Sequence, residues 1–333
     1  MALIDNAIYR DGVRVATPAS LGETYELARA ERGMAWIGLY RPTTGELESV
    51  AHEFGLHHLA VEDALKGHQR AKLERYGDTL FVVLRPARYI DADERVDFGE
   101  VHLFIGRDFV VSVRHAESPD LGRVRQRLEA DPGLLRLGPQ AVLYAILDEV
   151  VDEYDPVVAG LENDIDEIED EMFGDGDDDV LARRIYDLSA EVIEFQRAIH
   201  PLRDMLDAVL RGADKYGVEI ELQRHFRDVR DHVIRGTERA DGFRELLGNA
   251  LQVQSTLVTR AMTETSLRQN EQMKKVTSWA AILFAPSLVG TVYGMNFANM
   301  PELHWAWGYP FALGLMVAFA LTLYAVFKSK RWL

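Results

Sequence analysis

Asn270, Thr277, Ser287 and Thr291 fall at helical spacing along one stretch, with Met273, Val276, Ala280 and Phe284 between them. On a helix these positions make one stripe, polar at both ends and apolar in the middle. Amides and hydroxyls hydrogen-bond the water around an ion without gripping it, and apolar side chains such as Met273 and Phe284 gate a narrow passage by dewetting. Gly294-Met295-Asn296 follows. Glycine lets the backbone turn as a helix ends, and the Asn296 amide offers a neutral oxygen. Glu302, six residues on, adds a carboxylate that would concentrate cations at a mouth. Periodicity alone leaves two readings of the stripe open: copies around an axis with the stripe lining a pore, or ordinary helix packing. Asn296 likewise reads as a ring of amides or as a helix cap.

The elements that carry these residues are long and apolar. The chain loses every charge after Lys275, and the eighteen residues from Val276 to Tyr293 suffice to cross a bilayer core of roughly 30 Å at about 1.5 Å per residue. A second uncharged run, Tyr309 to Phe327, follows a loop of fifteen residues, 294–308. The pair reads as a membrane hairpin. Arg268, Lys274 and Lys275 precede it, Lys328, Lys330 and Arg331 follow it, and the loop has no Lys or Arg. Positive residues stay on the cytoplasmic side, so both termini are expected inside and the loop outside. Trp305, Trp307 and Tyr309 sit where an interfacial aromatic belt belongs, with Trp332 at the other face. Ala280, Ser287 and Gly290 are small enough for copies to approach closely, while Trp279, Ile282, Leu283, Pro286 and Val289 suit lipid or the second span.

A net charge of −17 argues against a nucleic-acid surface and suits a cationic partner. There is no cysteine, hence no thiolate metal site. The start, MALIDNAIYRDG, lacks the basic and apolar regions of a signal peptide, so the residues before the hairpin are expected in the cytoplasm.

Residues 1–118 read as an α/β domain. β-rich runs occur at Ala35–Tyr40, Thr79–Leu84, Val101–Ile105 and Phe109–Val113, the last two joined as a hairpin, and an amphipathic helix is expected over Glu46–Leu65. His57 and His58, adjacent on that helix, would point to different faces. Residues 119–218 read as an acidic helical hairpin. Its first arm, Gln140–Phe173, has apolar residues at helical spacing, and sixteen Asp or Glu without one Lys or Arg lie between Asp148 and Asp179. That run is a solvated face or a reservoir drawing cations toward a pore. The second arm, Val180–Leu210, offers Arg183, Arg184, Arg197 and Arg203 to pair with it. Residues 219–275 read as a stalk helix continuing into the first span (276–293), with the loop at 294–308, the second span at 309–327 and a basic tail at 328–333. A helix of that length needs partners, and copies of itself are the natural ones. No catalytic constellation, phosphate-binding glycine loop or placed nucleophile appears, which argues against an enzyme.

From Tyr293 the chain reads YGMNF, then MPEL at Met300–Leu303 and WAWGYP at Trp305–Pro310. Upstream it reads NEQMKKVT at Asn270–Thr277, and it ends KSKRWL. These motifs resemble the CorA family of magnesium transporters. More loosely, VEDAL at Val61–Leu65, HQRAKLE at His68–Glu74 and FRDVRDH at Phe226–His232 resemble segments of that family's cytoplasmic domain.

The resemblance implies a funnel-shaped homopentameric channel in the cell inner membrane. An α/β cytoplasmic domain would join, through a long-helix stalk, two C-terminal transmembrane helices. It implies Gly294, Met295 and Asn296 as a selectivity filter for hydrated Mg2+, which holds its water tightly and demands octahedral geometry. Asn270, Met273, Val276, Thr277, Ala280, Phe284 and Ser287 would line or gate the pore. Mg2+ would be both cargo and regulatory ligand, held between subunits by Asp63 and Asp228 with Glu62 beside them. Loss of the ion would leave carboxylates repelling across an interface and shift the channel toward opening. One departure is clear: Gln252–Thr259 has no acid where some relatives place one. His225, Asp228 and His232 share a helix face, which reads as solvated or as a transition-metal site. Co2+ and Ni2+ are further cargo candidates. A ZntB-type zinc transporter and a membrane-anchored scaffold are the alternatives, and MPEL favours magnesium over zinc.

Overall fold

A computed structural model describes residues 3–174, 176–296 and 300–333, with the side chains of Ile4, Glu302 and Leu303 excepted. The chain divides into two compact units, Met1–Gln252 and Val253–Leu333.

The first unit opens with β1 (Leu3–Arg10), β2 (Val13–Ala16), α1 (Leu21–Glu31), β3 (Met34–Tyr40), α2 (Thr44–Phe54) and α3 (His58–Lys66). Then come β4 (Lys72–Tyr76), β5 (Thr79–Leu84), β6 (Ala87–Ile90), β7 (Arg95–Phe98), β8 (Val101–Ile105) and β9 (Phe109–Arg114). Helices follow: α4 (Leu121–Glu129), α5 (Pro132–Leu135), α6 (Pro139–Asp152), α7 (Tyr154–Glu171), α8 (Asp178–Arg211) and α9 (Ala213–Tyr216). Helix α10 (Ile220–Tyr293) begins in this unit and ends in the second, which adds α11 (Gly308–Ser329).

Seven strands form one sheet in the order β2-β1-β3-β9-β8-β5-β4. Strands β3 and β9 run parallel and the other neighbours antiparallel. The central strands are nearly all apolar because both faces of the sheet are covered. Trp36, Val82, Leu103 and Val110 join the core formed with α4, α6, α7 and α8. Ile37, Phe81, Phe104 and Val111 turn the other way, onto α2 and α3. The two-residue period of a strand thus feeds two cores. Each of the four runs expected as strands is a strand, and β8 and β9 form the expected hairpin.

The helix expected over Glu46–Leu65 is two helices. Gly55 closes α2 in the left-handed region at φ 63°, and His57 then caps α3, its Nδ1 accepting the Leu59 N–H at 3.3 Å. His57 therefore stands outside the helix. Its ring stacks on His58 and on Tyr76, at 4.5 and 4.4 Å between centroids.

The acidic arm is α6 followed by α7, and α8 packs beside α7. The arginine that meets α7's acids most fully is Arg184, with Glu167 at 2.6 Å, Glu171 at 2.7 Å and Glu94 at 3.1 Å. Arg197 instead pairs with Glu194 of its own helix.

In the second unit α10 and α11 are each long and apolar enough to cross a membrane. They lie antiparallel: Trp279 meets Tyr324, while Gly290 meets Met316. Ser278, Ala285 and Val289 are the buried face of α10. A Cβ on Gly290 would meet Met316 Cε at 3.5 Å, an ordinary contact, so Gly290 lies where α10 meets α11.

Candidate cation pathway and sensor site

The Gly294-Met295-Asn296 motif sits where α10 ends. The Gly294 N–H donates to the Gly290 carbonyl at 2.9 Å and the Met295 N–H to Val292 at 3.3 Å, closing the last turn. Asn296 follows and is exposed. A Cβ on Gly294 would lie 3.2 Å from the Gly290 carbonyl, which would have to give by a few tenths of an ångström.

The stripe lies on the side of α10 away from α11. Asn270, Met273, Val276, Thr277, Ala280, Phe284 and Ser287 are all exposed, with Met273, Val276 and Phe284 each about two-thirds open. Pro286 and Ile282, from the expected bulky side, face α11 across a cavity shared with Leu313, Met316 and Tyr324. Leu283 is exposed. The Thr291 hydroxyl donates to the Ser287 carbonyl at 2.8 Å, a bond that satisfies a hydroxyl within an apolar segment. The side chain of Glu302 lies outside the described residues.

The residues expected to hold a regulatory cation lie in the first unit. Asp63, near the end of α3, accepts from Lys72 Nζ at 2.8 Å, and the same ammonium reaches Glu74 at 2.9 Å. Glu62 is exposed and pairs with Lys66 one turn on. Asp228 stands on α10 among different neighbours. Facing it on α6 is Asp148, whose carboxyl is pushed above the usual range first by burial and then by Asp152, with Asp228 adding to it. Arg127 opposes the rise, bonding Asp148 at 3.2 Å and Glu149 at 3.1 Å. Burial also raises the Tyr144 hydroxyl, to about 12, with Asp148 and Asp228 contributing.

His225 and His232 do not converge on Asp228. The His225 ring packs on Tyr144 at 4.9 Å, and His232 lies 3.9 Å from Asp152. Among the described residues no three His, Asp or Glu side chains make a ready metal cage. Asp148 and Asp152 were legible in the sequence only as members of a charge run, and Lys72 only as part of HQRAKLE. Nothing in their spacing announces a partner nine or eighty residues away.

The family described as CorA-like Mg2+ transporter protein matches residues 31–331. The chain belongs to the CorA family. It is 33% identical over 301 residues to YfjQ of Bacillus subtilis, covering 89% of each chain. It is 30% identical over 302 residues to the cobalt/magnesium transport protein CorA of Thermotoga maritima, covering 90% of this chain and 83% of that one. Among solved structures, the complete CorA magnesium transporter from Methanocaldococcus jannaschii overlays with a TM-score of 0.67 at 18% identity, across the whole of both chains. The ZntB cytoplasmic domain from Vibrio parahaemolyticus overlays with a TM-score of 0.60 at 12% identity, covering 78% of this chain and 98% of that one, a likeness of fold. The protein is thus a CorA-family divalent cation transporter, and its two apolar helices fit a family that sits in the membrane.

Proposed function

We propose that the chain assembles as a homopentamer in the cell inner membrane and carries hydrated Mg2+ into the cytoplasm, with both termini on the cytoplasmic side. Co2+ and Ni2+ are further cargo. The observation that carries this reading is the two-sidedness of α10 above its end: one face is buried on α11 and the other, from Met273 to Ser287, is open and leads to an exposed Asn296. Five copies turning that open face to a common axis would bury it and leave the α11 side for lipid. Five Asn296 amides at the outer end would then hydrogen-bond the water of the ion without stripping it, weakly enough for release. Met273 and Phe284 would be the apolar constrictions. Glu302 and its copies would raise the local cation concentration at the mouth.

Internal Mg2+ would close the channel by bridging Asp63 of one subunit to Asp228 of the next, with Glu62 beside them. Asp228 and its acidic neighbours on α6 repel one another without a cation, which supports this reading. The deciding experiment is uptake of Mg2+, Co2+, Ni2+ and Zn2+ into liposomes containing only this protein, with crosslinking in detergent to count subunits. Mg2+ uptake by a five-chain species is expected. Uptake of Zn2+ alone, or none at all, would overturn it.

A further inference from the structure

Strands β6 and β7 pair as a two-stranded ribbon beside α7 and α8, and a cavity of about 390 Å3 lies among these elements. Its walls carry five carboxylates, Asp93, Glu94, Asp164, Asp187 and Glu191, against two guanidiniums, Arg183 and Arg184. Arg184 is shared: it bonds Glu94 at 3.1 Å as well as Glu167 and Glu171, and its charge favours an ionised Asp164. Arg95, beside the cavity, bonds Asp93 at 3.3 Å and favours an ionised Glu191, so five carboxylates face three guanidiniums.

Asp164 is the unusual member. Its residue is only 5% exposed, and its Oδ1 accepts from the Tyr89 hydroxyl at 2.8 Å. Its Oδ2 is buried with no hydrogen-bond partner among the described residues. Glu191 has one oxygen on the Val96 N–H at 2.9 Å. Burial is the main cause holding both carboxyls above the usual range, and Asp164 raises Glu191 further. A buried carboxylate with an unmet oxygen beside a second carboxylate is costly unless something positive meets it.

We propose that this cavity binds one hydrated divalent cation of the magnesium type, with Asp164 and Glu191 as its carboxylate partners. The space suits an ion with water rather than a bare one. Mg2+ keeps several waters and is commonly held by one or two carboxylates, so the lack of a three-ligand cage among the described residues fits it. Every partner lies on one chain, between the ribbon and the α7–α8 pair. The bound ion would therefore clamp those elements in a single subunit, independently of the contact proposed for Asp63 and Asp228.

The test uses the full-length protein in detergent carrying Asp63→Ala and Asp228→Ala, so that the proposed intersubunit sensor is absent. Mn2+ is the probe, read by electron paramagnetic resonance and competed with Mg2+, alongside thermal unfolding at fixed ionic strength. Adding Asp164→Asn is expected to remove one Mn2+ per chain relative to that parent, so ions held in the pore cancel. Glu191→Gln is expected to weaken the site about tenfold or more, and the exposed Asp187→Asn to weaken it less. The parent should gain thermal stability with MgCl2 beyond KCl of equal ionic strength. Should Asp164→Asn fail to fold, the other two variants decide, and unchanged Mn2+ affinity in both overturns the proposal. So does Mn2+ binding unaltered by Asp164→Asn, or a melting temperature that answers to pH but not to Mg2+, which would assign Asp164 a proton instead. None of these readings depends on transport, so a failed uptake experiment leaves them standing.

Discussion

The Lys72 ammonium lies 2.8 Å from one Asp63 oxygen, so the carboxylate proposed to sense magnesium already has a cation within its own chain. Lys72 is also shared with Glu74, and a divalent ion arriving at Asp63 must compete with it. A partly exposed pair of this kind is worth on the order of 0.5–1 kcal/mol. Lys72→Ala should lower the Mg2+ concentration that half-protects the cytoplasmic domain from proteolysis by about two- to fivefold. A midpoint that stays put or rises would mean that Asp63 does not meet the ion.

Asn296 is exposed immediately after the last turn of α10. Asn296→Ala should abolish Mg2+ uptake into liposomes and leave the subunit count in crosslinking unchanged. Asn296→Gln keeps the amide but moves it outward by a methylene, and it should retain part of the flux with altered selectivity. Full uptake by the alanine variant would remove the filter assignment.

The Asp148 carboxyl gives a pH dependence with a definite sign. Its folded value is raised, by burial first and by Asp152 and Asp228 after it. A raised carboxyl favours the folded state most below its unfolded value, near the ordinary carboxylate range, and that contribution is lost as pH rises through the folded value. Metal-free protein should therefore gain stability from this cluster as pH is lowered from neutrality toward that range, and Mg2+ at pH 7 should substitute for the proton. Asp228→Asn removes one of the raising charges. It should lift the metal-free melting temperature at pH 7 by about 1–2 °C and shrink the gain from added Mg2+. A variant with an unchanged Mg2+ response would detach Asp228 from any bound ion.

Local pattern carried the central strands because Thr79–Leu84, Val101–Ile105 and Phe109–Arg114 are almost wholly apolar and bounded by turn residues. It missed β1, where Asp5 and Asn6 interrupt the run. Asn6 is buried, its amide N–H donating to the Thr24 hydroxyl, a partner eighteen residues away. The acidic arm was legible as helix, yet not its division at Glu153 into α6 and α7. The open face of α10 was also legible, since a stripe at helical spacing needs no partner to be seen. The place of Gly290 against Met316 was not, because small residues suit a contact between copies and a contact within the hairpin equally well. The cation beside Asp63 follows the same rule. Lys72 reaches Asp63 only once α3 and β4 are placed side by side, and single-chain spacing is silent on that.

Gly160 on α7 tests the wall that supports the proposed cation cavity. A Cβ there would lie 2.5 Å from the Tyr89 ring, well inside contact distance, so either the ring or the β6–β7 ribbon must move. The Tyr89 hydroxyl is the donor to Asp164, so a displaced ring also leaves that carboxylate with a second unmet oxygen. Gly160→Ala should cost about 1–3 kcal/mol through overpacking. Gly242→Ala is the control on α10. Beyond its own helix backbone, nothing among the described residues lies within 4 Å of its missing Cβ, and replacing an exposed helical glycine should gain about 0.5–1 kcal/mol. Opposite shifts in melting temperature are expected from the same chemical change at two helical positions. If Gly160→Ala melts no lower than the parent, α7 and the ribbon are not packed through Tyr89, and the cavity between them has no fixed wall.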